Sequence, residues 1–150
     1  MRICLSTIIL ACLIGFPCFA QSNDKVDELL TQVQVRTDAA AYIVLNAGGW
    51  VDENASADEA YAMALEKKWL PQRRAASEPI ELDELCALTM SSLGLKGGLM
   101  YGIFPGPRYA YHELVAKGIV NSSGGPHRYV PGDEVLTILS ESMALRGGEQ

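Results

Sequence analysis

The sequence IELDEL at residues 80–85 recurs as VPGDEV at residues 130–135, at an offset of 50 positions that requires no gap. Each copy of an internal repeat is one supersecondary unit that must bury its apolar face against another copy. The repeat therefore predicts a fold made by packing similar helical units together. Further pairs share the offset: Ala60-Tyr61 with Ala110-Tyr111, Lys67 with Lys117, and Trp69-Leu70 with Ile119-Val120.

A third, partial copy begins with VRTD at residues 35–38. It follows the same rule as the other two: a β-branched residue, two variable residues, and then an aspartate in the first turn of a helix, where the helix dipole favours negative charge. We expect a helix over residues 37–47, capped by Thr37 or Asp38 and ended by two glycines. The partial repeat thus spans residues 35–47.

Both full copies are predicted to consist of a helix, a loop and a second helix. Repeat one spans residues 56–93, and its first helix opens with a capping box formed by Ser56 and Glu59. Repeat two spans residues 108–143 and its second helix opens near Pro131. The inner faces of the two second helices are predicted to carry Leu82, Leu85, Cys86 and Leu93 in one copy and Val135, Ile138, Leu139 and Ser142 in the other. Upstream, helical spacing predicts one more apolar face, made by Val26, Leu29, Leu30 and Val33.

Residues 1–20 have the pattern of a secretory signal peptide: a basic start, an apolar stretch, and small residues before a cleavage point after Ala20. An uncleaved membrane anchor and lipidation at Cys12 are the alternatives. The mature chain, residues 21–150, is expected to be one secreted or periplasmic helical domain without a membrane span. Its formal charge is one unit more negative than the −6 of the full chain, because Arg2 is lost. An acidic surface argues against nucleic acid as the partner.

The pattern resembles the S-layer homology (SLH) domain. The sequences KKWL at residues 67–70 and KGIV at residues 117–120 are similar to the turn that ends the first helix of an SLH repeat, and residues 80–85 and 130–135 are similar to the motif that opens the second. The resemblance implies an all-α fold, in which helix–loop–helix repeats form a pseudo-three-fold bundle that binds cell-wall polymers. The family's motif arginine, which helps to grip an anionic sugar, is replaced here: the three positions hold Leu82, Gly132 and Thr37.

Candidate ligand-binding residues are Arg108, Tyr109, Tyr111, Trp69 and Arg73. Aromatic rings beside arginine can stack on sugars or hold a peptide. The more common role of such an aromatic segment is as a hydrophobic connector packed across the bundle, and Arg73 is more often a solvated loop charge. The ligand would be a cell-wall glycan or polymer. The alternative is a structural or adaptor subunit that binds an envelope protein and has no glycan affinity.

No catalytic constellation, cofactor motif or metal-ligand spacing is apparent in the sequence. His112 and His127 lack the neighbouring ligands that zinc requires. Cys86 is the one cysteine after residue 20, and its place on an apolar helix face predicts a buried small hydrophobic residue, with a reactive thiol as the alternative. The sequence therefore predicts a non-enzymatic protein without a cofactor or metal.

Overall fold

The computed structural model describes residues 20–148, with side chains described from residue 24 onward. This part of the chain is all-helical and contains no named strand, which confirms the predicted all-α class. The predicted signal peptide lies outside the described residues except for Ala20. No helix in the described part is both long enough and apolar enough to cross a bilayer. The helices are α1 (Ala20–Leu30), α2 (Thr37–Ala47), α3 (Ala57–Glu66), α4 (Leu82–Leu93), α5 (Leu99–Ile103), α6 (Pro107–Ala116) and α7 (Gly132–Gly148).

Helices α2 and α4 have their predicted bounds, and the capping box of α3 is confirmed. The hydroxyl of Ser56 accepts the amide of Glu59 at 3.1 Å, and Oε2 of Glu59 accepts the amide of Ser56 at 2.7 Å. The predicted inner faces are also confirmed, since Leu82, Leu85, Cys86 and Leu93 are buried in α4 and Val135, Ile138, Leu139 and Ser142 are buried in α7.

The predicted apolar face upstream is wrong in its second half. Leu29 is buried, but Leu30 is 49% exposed and Val33 is 82% exposed. Helix α1 ends at Leu30, because the amide of Gln32 turns back to the carbonyl of Leu29 at 3.0 Å. Val33 therefore lies beyond the helix, and the spacing that suggested one continuous face does not apply to it.

The predicted cap of α2 is wrong as well. The N-cap residue is Arg36, and its side chain makes no capping hydrogen bond. The hydroxyl of Thr37 instead donates to the carbonyl of Glu78 at 2.8 Å. A contact with the loop of repeat one thus occupies the side chain that we expected to cap the helix.

Backbone hydrogen bonds join the segments that open α2, α4 and α7 in a closed ring. A backbone amide at the start of α2 donates to the loop before α4, and one at the start of α4 donates to the loop before α7. An amide at the start of α7 completes the ring by donating to the stretch before α2. This arrangement brings the beginning and the end of the described chain together. The bonds are Thr37 N to Glu78 O at 2.9 Å, Leu82 N to Arg128 O at 2.9 Å and Gly132 N to Gln32 O at 3.0 Å.

The hydrophobic core lies beneath this ring. Val35, Ile80 and Val130, the β-branched residues of the three segments, are fully buried. Helix α4 is central, since every residue except Ser91 is buried. It packs against α6, α2 and α7, while α2 also packs on α3 and α1 on α7. The ring and the core place the loops of the two full repeats next to each other.

Candidate functional site

Two repeats meet at a groove with a volume of about 470 Å³. One wall is the turn after α3, and the opposite wall is the segment that leads into α6. The groove exists because α3 and α6 are the first helices of successive repeats and because α6 packs on α4. Residues on its walls include Lys67, Lys68, Trp69, Pro71, Pro105 and Pro107.

Two tryptophans pack together beside this groove: Trp69 lines it, and Trp50 lines a neighbouring depression with Val51 and Met63. The ring of Trp69 meets that of Trp50 edge to face, with 5.1 Å between centroids. The indole nitrogen of Trp50 donates to the carbonyl of Ser92 at 2.7 Å, which fixes the ring against α4. Nζ of Lys67 lies 4.1 Å from the centroid of the Trp50 ring. The turn after α3 therefore combines the ring of Trp69 with a cation, and the ring of Trp50, from the turn after α2, is packed beside them.

Lys68 has a left-handed backbone conformation, with φ of 59°. Among the described residues it is the one non-glycine residue with positive φ. The equivalent position of repeat two is Gly118, with φ of 75°. Glycine is strongly favoured just after a helix, because it lacks the Cβ atom that makes the left-handed conformation costly. Other residues that keep this conformation tend to lie at functional positions. Repeat one thus keeps a lysine on the groove wall where glycine would be less strained.

The five candidate residues are placed differently from one another. Trp69 lines the groove. Arg108 is exposed and directly follows Pro107, which forms part of the opposite wall. Tyr109 is partly buried, and its ring stacks on that of Phe104 with 6.3 Å between centroids. Arg73 is exposed on the loop that follows the groove turn.

Tyr111 belongs to the core rather than to the groove. Only 5% of its surface is exposed, and its hydroxyl donates to the carbonyl of Ser122 at 3.5 Å. Helical spacing in the sequence predicts Tyr111 on one apolar face with Leu114 and Val115, and the burial of Tyr111 agrees with that spacing rather than with a ligand-binding role.

Arg74, the neighbour of Arg73, is tied into the protein. Its Nη2 donates to Oε1 of Glu81 at 2.6 Å, and its Nε lies 2.9 Å from Oε2 of Glu84, whose side chain is 2% exposed. Burial alone would lower the pKa of Arg74, but the hydrogen bonds to Glu84 and Glu81 outweigh it and raise the pKa. Arg74 therefore stabilises the start of α4, which leaves Arg73 as the accessible arginine of this loop.

Repeat two has a related ion pair. Nη1 of Arg128 donates to Oε2 of Glu134 at 2.7 Å, and this hydrogen bonding raises the pKa of Arg128. Glu134 occupies the place in α7 that Glu84 occupies in α4, at the repeat offset. In each full repeat, an arginine of the loop thus pairs with the equivalent glutamate of the second helix.

One cluster of polar side chains is not apparent from the sequence. Nδ1 of His127 lies 3.0 Å from Oε2 of Glu81 and 3.5 Å from Oδ2 of Asp83. In the sequence, His127 has no neighbouring ligand residue, because it lies 46 positions from Glu81. The signal that could have found it is the repeat register, which places the loop before α7 beside the start of α4.

The aromatic stretch of residues 100–111, predicted to be a connector packed across the bundle, is packed only in part. Tyr101 and Tyr111 pack against or within the core, but the other four residues of α5 and the residue after it are exposed. A helix of five residues is too short to bury more than one face. The exposed apolar patch consists of Leu99 (77%), Met100 (50%), Ile103 (56%) and Phe104 (58%).

Cys86 is fully buried in α4, and burial raises the pKa of its thiol. The thiolate is the reactive form of cysteine, so a raised pKa makes the side chain inert. The prediction of a buried small hydrophobic residue is confirmed.

Comparison of the chain with known protein families, with curated proteins and with solved structures finds no match.

Proposed function

We propose that the protein is a secreted or periplasmic, non-catalytic SLH-like module that binds an anionic polymer of the cell envelope in the groove between its two full repeats. The observation that carries the proposal is the groove wall itself. Lys67, Lys68 and Trp69 lie on one side, and the segment leading to Arg108 lies on the other. In a chain with a formal charge of −6, this is a local concentration of cations around a fixed aromatic ring.

The chemistry of this wall suits an acidic sugar. The ring of Trp69 offers apolar surface in the groove on which a sugar ring can stack. Lysine is a compact point charge that attracts carboxylate or phosphate without demanding one geometry. Stacking and charge attraction would act together on a repeating polymer, because each saccharide unit presents the same groups again.

The ring of backbone hydrogen bonds supports the SLH-like, pseudo-three-fold arrangement as part of the same proposal. The three positions that carry arginine in the SLH motif are here buried: Leu82 and Thr37 are fully buried, and Gly132 is buried against α1. A ligand would therefore not reach an arginine at those positions in this fold. The proposed grip uses the lysines of the groove instead.

Co-sedimentation of the full chain with purified wall sacculi that retain their secondary polymers tests this function. Substitution Lys68→Gln removes one groove charge, and Lys117→Gln removes a lysine at the equivalent end of α6 as the matched control. We expect saturable binding that Lys68→Gln, Trp69→Ala and Arg108→Ala each weaken several-fold, while Lys117→Gln leaves it unchanged. Absence of saturable binding, or equal effects of the two lysine substitutions, would contradict the proposal.

A second candidate function is an adaptor that binds an envelope protein, and the exposed patch on α5 favours it. Contiguous exposed apolar residues on a small domain often mark a protein contact. Cross-linking in intact envelopes would test it, with Ile103→Asp in the patch and Val33→Asp as a control at an apolar residue exposed elsewhere. A cross-linked protein lost with Ile103→Asp and kept with Val33→Asp, together with no binding to sacculi, would favour the adaptor.

A further inference from the structure

We propose that Glu81, Asp83 and His127 form a binding site for a divalent transition-metal ion, zinc in particular, where the two full repeats meet. This site is separate from the groove and does not depend on the proposed polymer binding. It rests on the position of three donor atoms, the burial of one carboxylate, the surrounding charges and the backbone that holds the histidine.

The three donor atoms are spaced like the ligands of a single ion. All of them lie within 4.8 Å of one another. Bonds of about 2.0–2.2 Å in a tetrahedral zinc site place neighbouring ligand atoms about 3.3–3.6 Å apart. The two distances from Nδ1 of His127, 3.0 Å to Glu81 and 3.5 Å to Asp83, lie close to that spacing.

The buried carboxylate of Asp83 points into the cluster with one oxygen directed at His127. Its side chain is 8% exposed. Oδ1 accepts the amide of Glu84 at 2.9 Å, whereas Oδ2 faces Nδ1 of His127 at 3.5 Å, a longer contact than the 3.0 Å between that nitrogen and Glu81. A buried carboxylate is costly unless it is paired or coordinates a metal. Attraction to the helix dipole explains an acid at this position, but it does not explain an imidazole directed at that acid.

The charges around the cluster suit a divalent cation. Arg74 bonds Oε1 of Glu81 and also pairs with Glu84, which leaves Oε2 of Glu81 facing His127. One guanidinium among the carboxylates of Glu81, Asp83 and Glu84 leaves an excess of negative charge for an ion to neutralise. Arg74 also fixes the orientation of Glu81, as outer partners of metal ligands commonly do.

The ligand types select the class of metal. Imidazole favours zinc, copper, iron and nickel, whereas magnesium and calcium prefer oxygen ligands alone. The side chain of His127 is 73% exposed, so a metal there would keep a position open to water. A site with three protein ligands and one open position is a common arrangement for zinc.

The backbone holds His127 in place relative to α4. The amide of Leu82 donates to the carbonyl of Arg128 at 2.9 Å, and the amide of Asp83 donates to the carbonyl of Pro126 at 3.0 Å. The residues on either side of His127 are therefore bonded directly to the start of the helix that carries the two carboxylates. Because these backbone hydrogen bonds hold the segment around His127 against the start of α4, binding requires little ordering of the chain, and a bound ion would cross-link the two repeats.

Equilibrium dialysis of the full chain against zinc chloride tests the site. Substitution His127→Ala removes one ligand from an exposed position, and His112→Ala removes the other histidine of the chain, which is also exposed, as the matched control. Cys4, Cys12 and Cys18 are further zinc ligands in the full chain, so the readout is the difference between variants. We expect His127→Ala to lose one equivalent of zinc at micromolar metal, and His112→Ala to lose none.

A second measurement keeps the test independent of the dialysis. Zinc should raise the melting temperature of the unsubstituted chain and of the His112→Ala variant, and it should have a smaller effect on His127→Ala and on Asp83→Asn. Equal zinc content and equal thermal shifts in the His127→Ala and His112→Ala variants would overturn the proposal.

Discussion

The amide nitrogen of Gly132 lies 3.0 Å from the carbonyl oxygen of Gln32, and this hydrogen bond joins the start of the last helix to the end of the first. The contact leaves no room for a side chain, since a Cβ atom at Gly132 would lie 2.0 Å from the carbonyl oxygen of Leu29. The neighbouring atom belongs to the backbone and cannot turn aside. Glycine at this position is therefore what allows the ring of helix-opening segments to close.

Substitution Gly132→Ala is expected to destabilise the protein by more than about 2 kcal/mol, because the backbone of α1 must move away from α7. Gly147→Ala is the matched control. It lies in the same helix, where a Cβ atom meets nothing within 4 Å, and alanine favours helix over glycine by about 1 kcal/mol. Urea unfolding measures both. Equal stability of the two variants would contradict the packing of α7 against α1.

Substitution Arg74→Met is expected to cost about 3–5 kcal/mol, the usual effect of leaving a buried charge without its partner, here Glu84. Arg73→Met, at the exposed neighbouring residue, should change the free energy of unfolding by less than about 0.5 kcal/mol. Chemical denaturation of the two variants distinguishes the structural arginine from the accessible one. A larger loss for Arg73→Met would mean that the two side chains have exchanged roles.

The sequence predicts this fold where its signals are local. The capping box at Ser56, the bounds of α2 and the burial of Tyr111 follow from spacing and residue type within a few turns of helix. The sequence predicts the site less well. The convergence of His127 with Glu81 depends on how distant segments pack, and the exposure of α5 depends on where neighbouring helices end. These features are set by tertiary contacts that no local pattern reports.

Substitution Ser56→Ala is expected to destabilise α3 by about 1 kcal/mol at neutral pH, because it removes the N-cap hydrogen bond. Hydrogen bonds from the backbone and side chain of Ser56 hold the pKa of Glu59 below its ordinary value of 4.5. A lowered pKa contributes stability above that ordinary value, and this stability is lost as the pH falls through the folded-state pKa. Ser56→Ala keeps the backbone hydrogen bond to Glu59 and removes the one from the side chain, so the part of the difference that comes from the side-chain bond should disappear at acid pH.

Thermal unfolding at pH 7 and at pH 3 measures that change. Ser77→Ala, an exposed serine in a loop, is the control and should show no such pH dependence. A constant difference for Ser56→Ala across this range would show that the hydrogen bond from the Ser56 hydroxyl to Glu59 does not contribute to stability.

Substitution Lys68→Gly is expected to raise stability by about 1 kcal/mol, because glycine adopts the left-handed conformation without strain. The same change should weaken binding to the wall polymer, because it removes a groove charge. Lys67→Gly is the control for stability, since Lys67 has φ of −74° and gains nothing from glycine. Thermal melts and co-sedimentation on the same preparations measure both effects. A stabilised variant with unchanged binding would mean that Lys68 does not serve the groove.

Intrinsic tryptophan fluorescence, titrated with soluble fragments of an acidic wall polymer, tests the groove most directly. Trp69 lines the groove, and Trp50, the other tryptophan of the chain, packs against it with 5.1 Å between ring centroids, so emission from this pair reports on the groove. We predict a saturable change in emission that Lys68→Gln weakens several-fold and Lys117→Gln does not. An emission spectrum that stays constant while the same fragments bind the protein would place the polymer elsewhere, and no binding at all would contradict the proposed function.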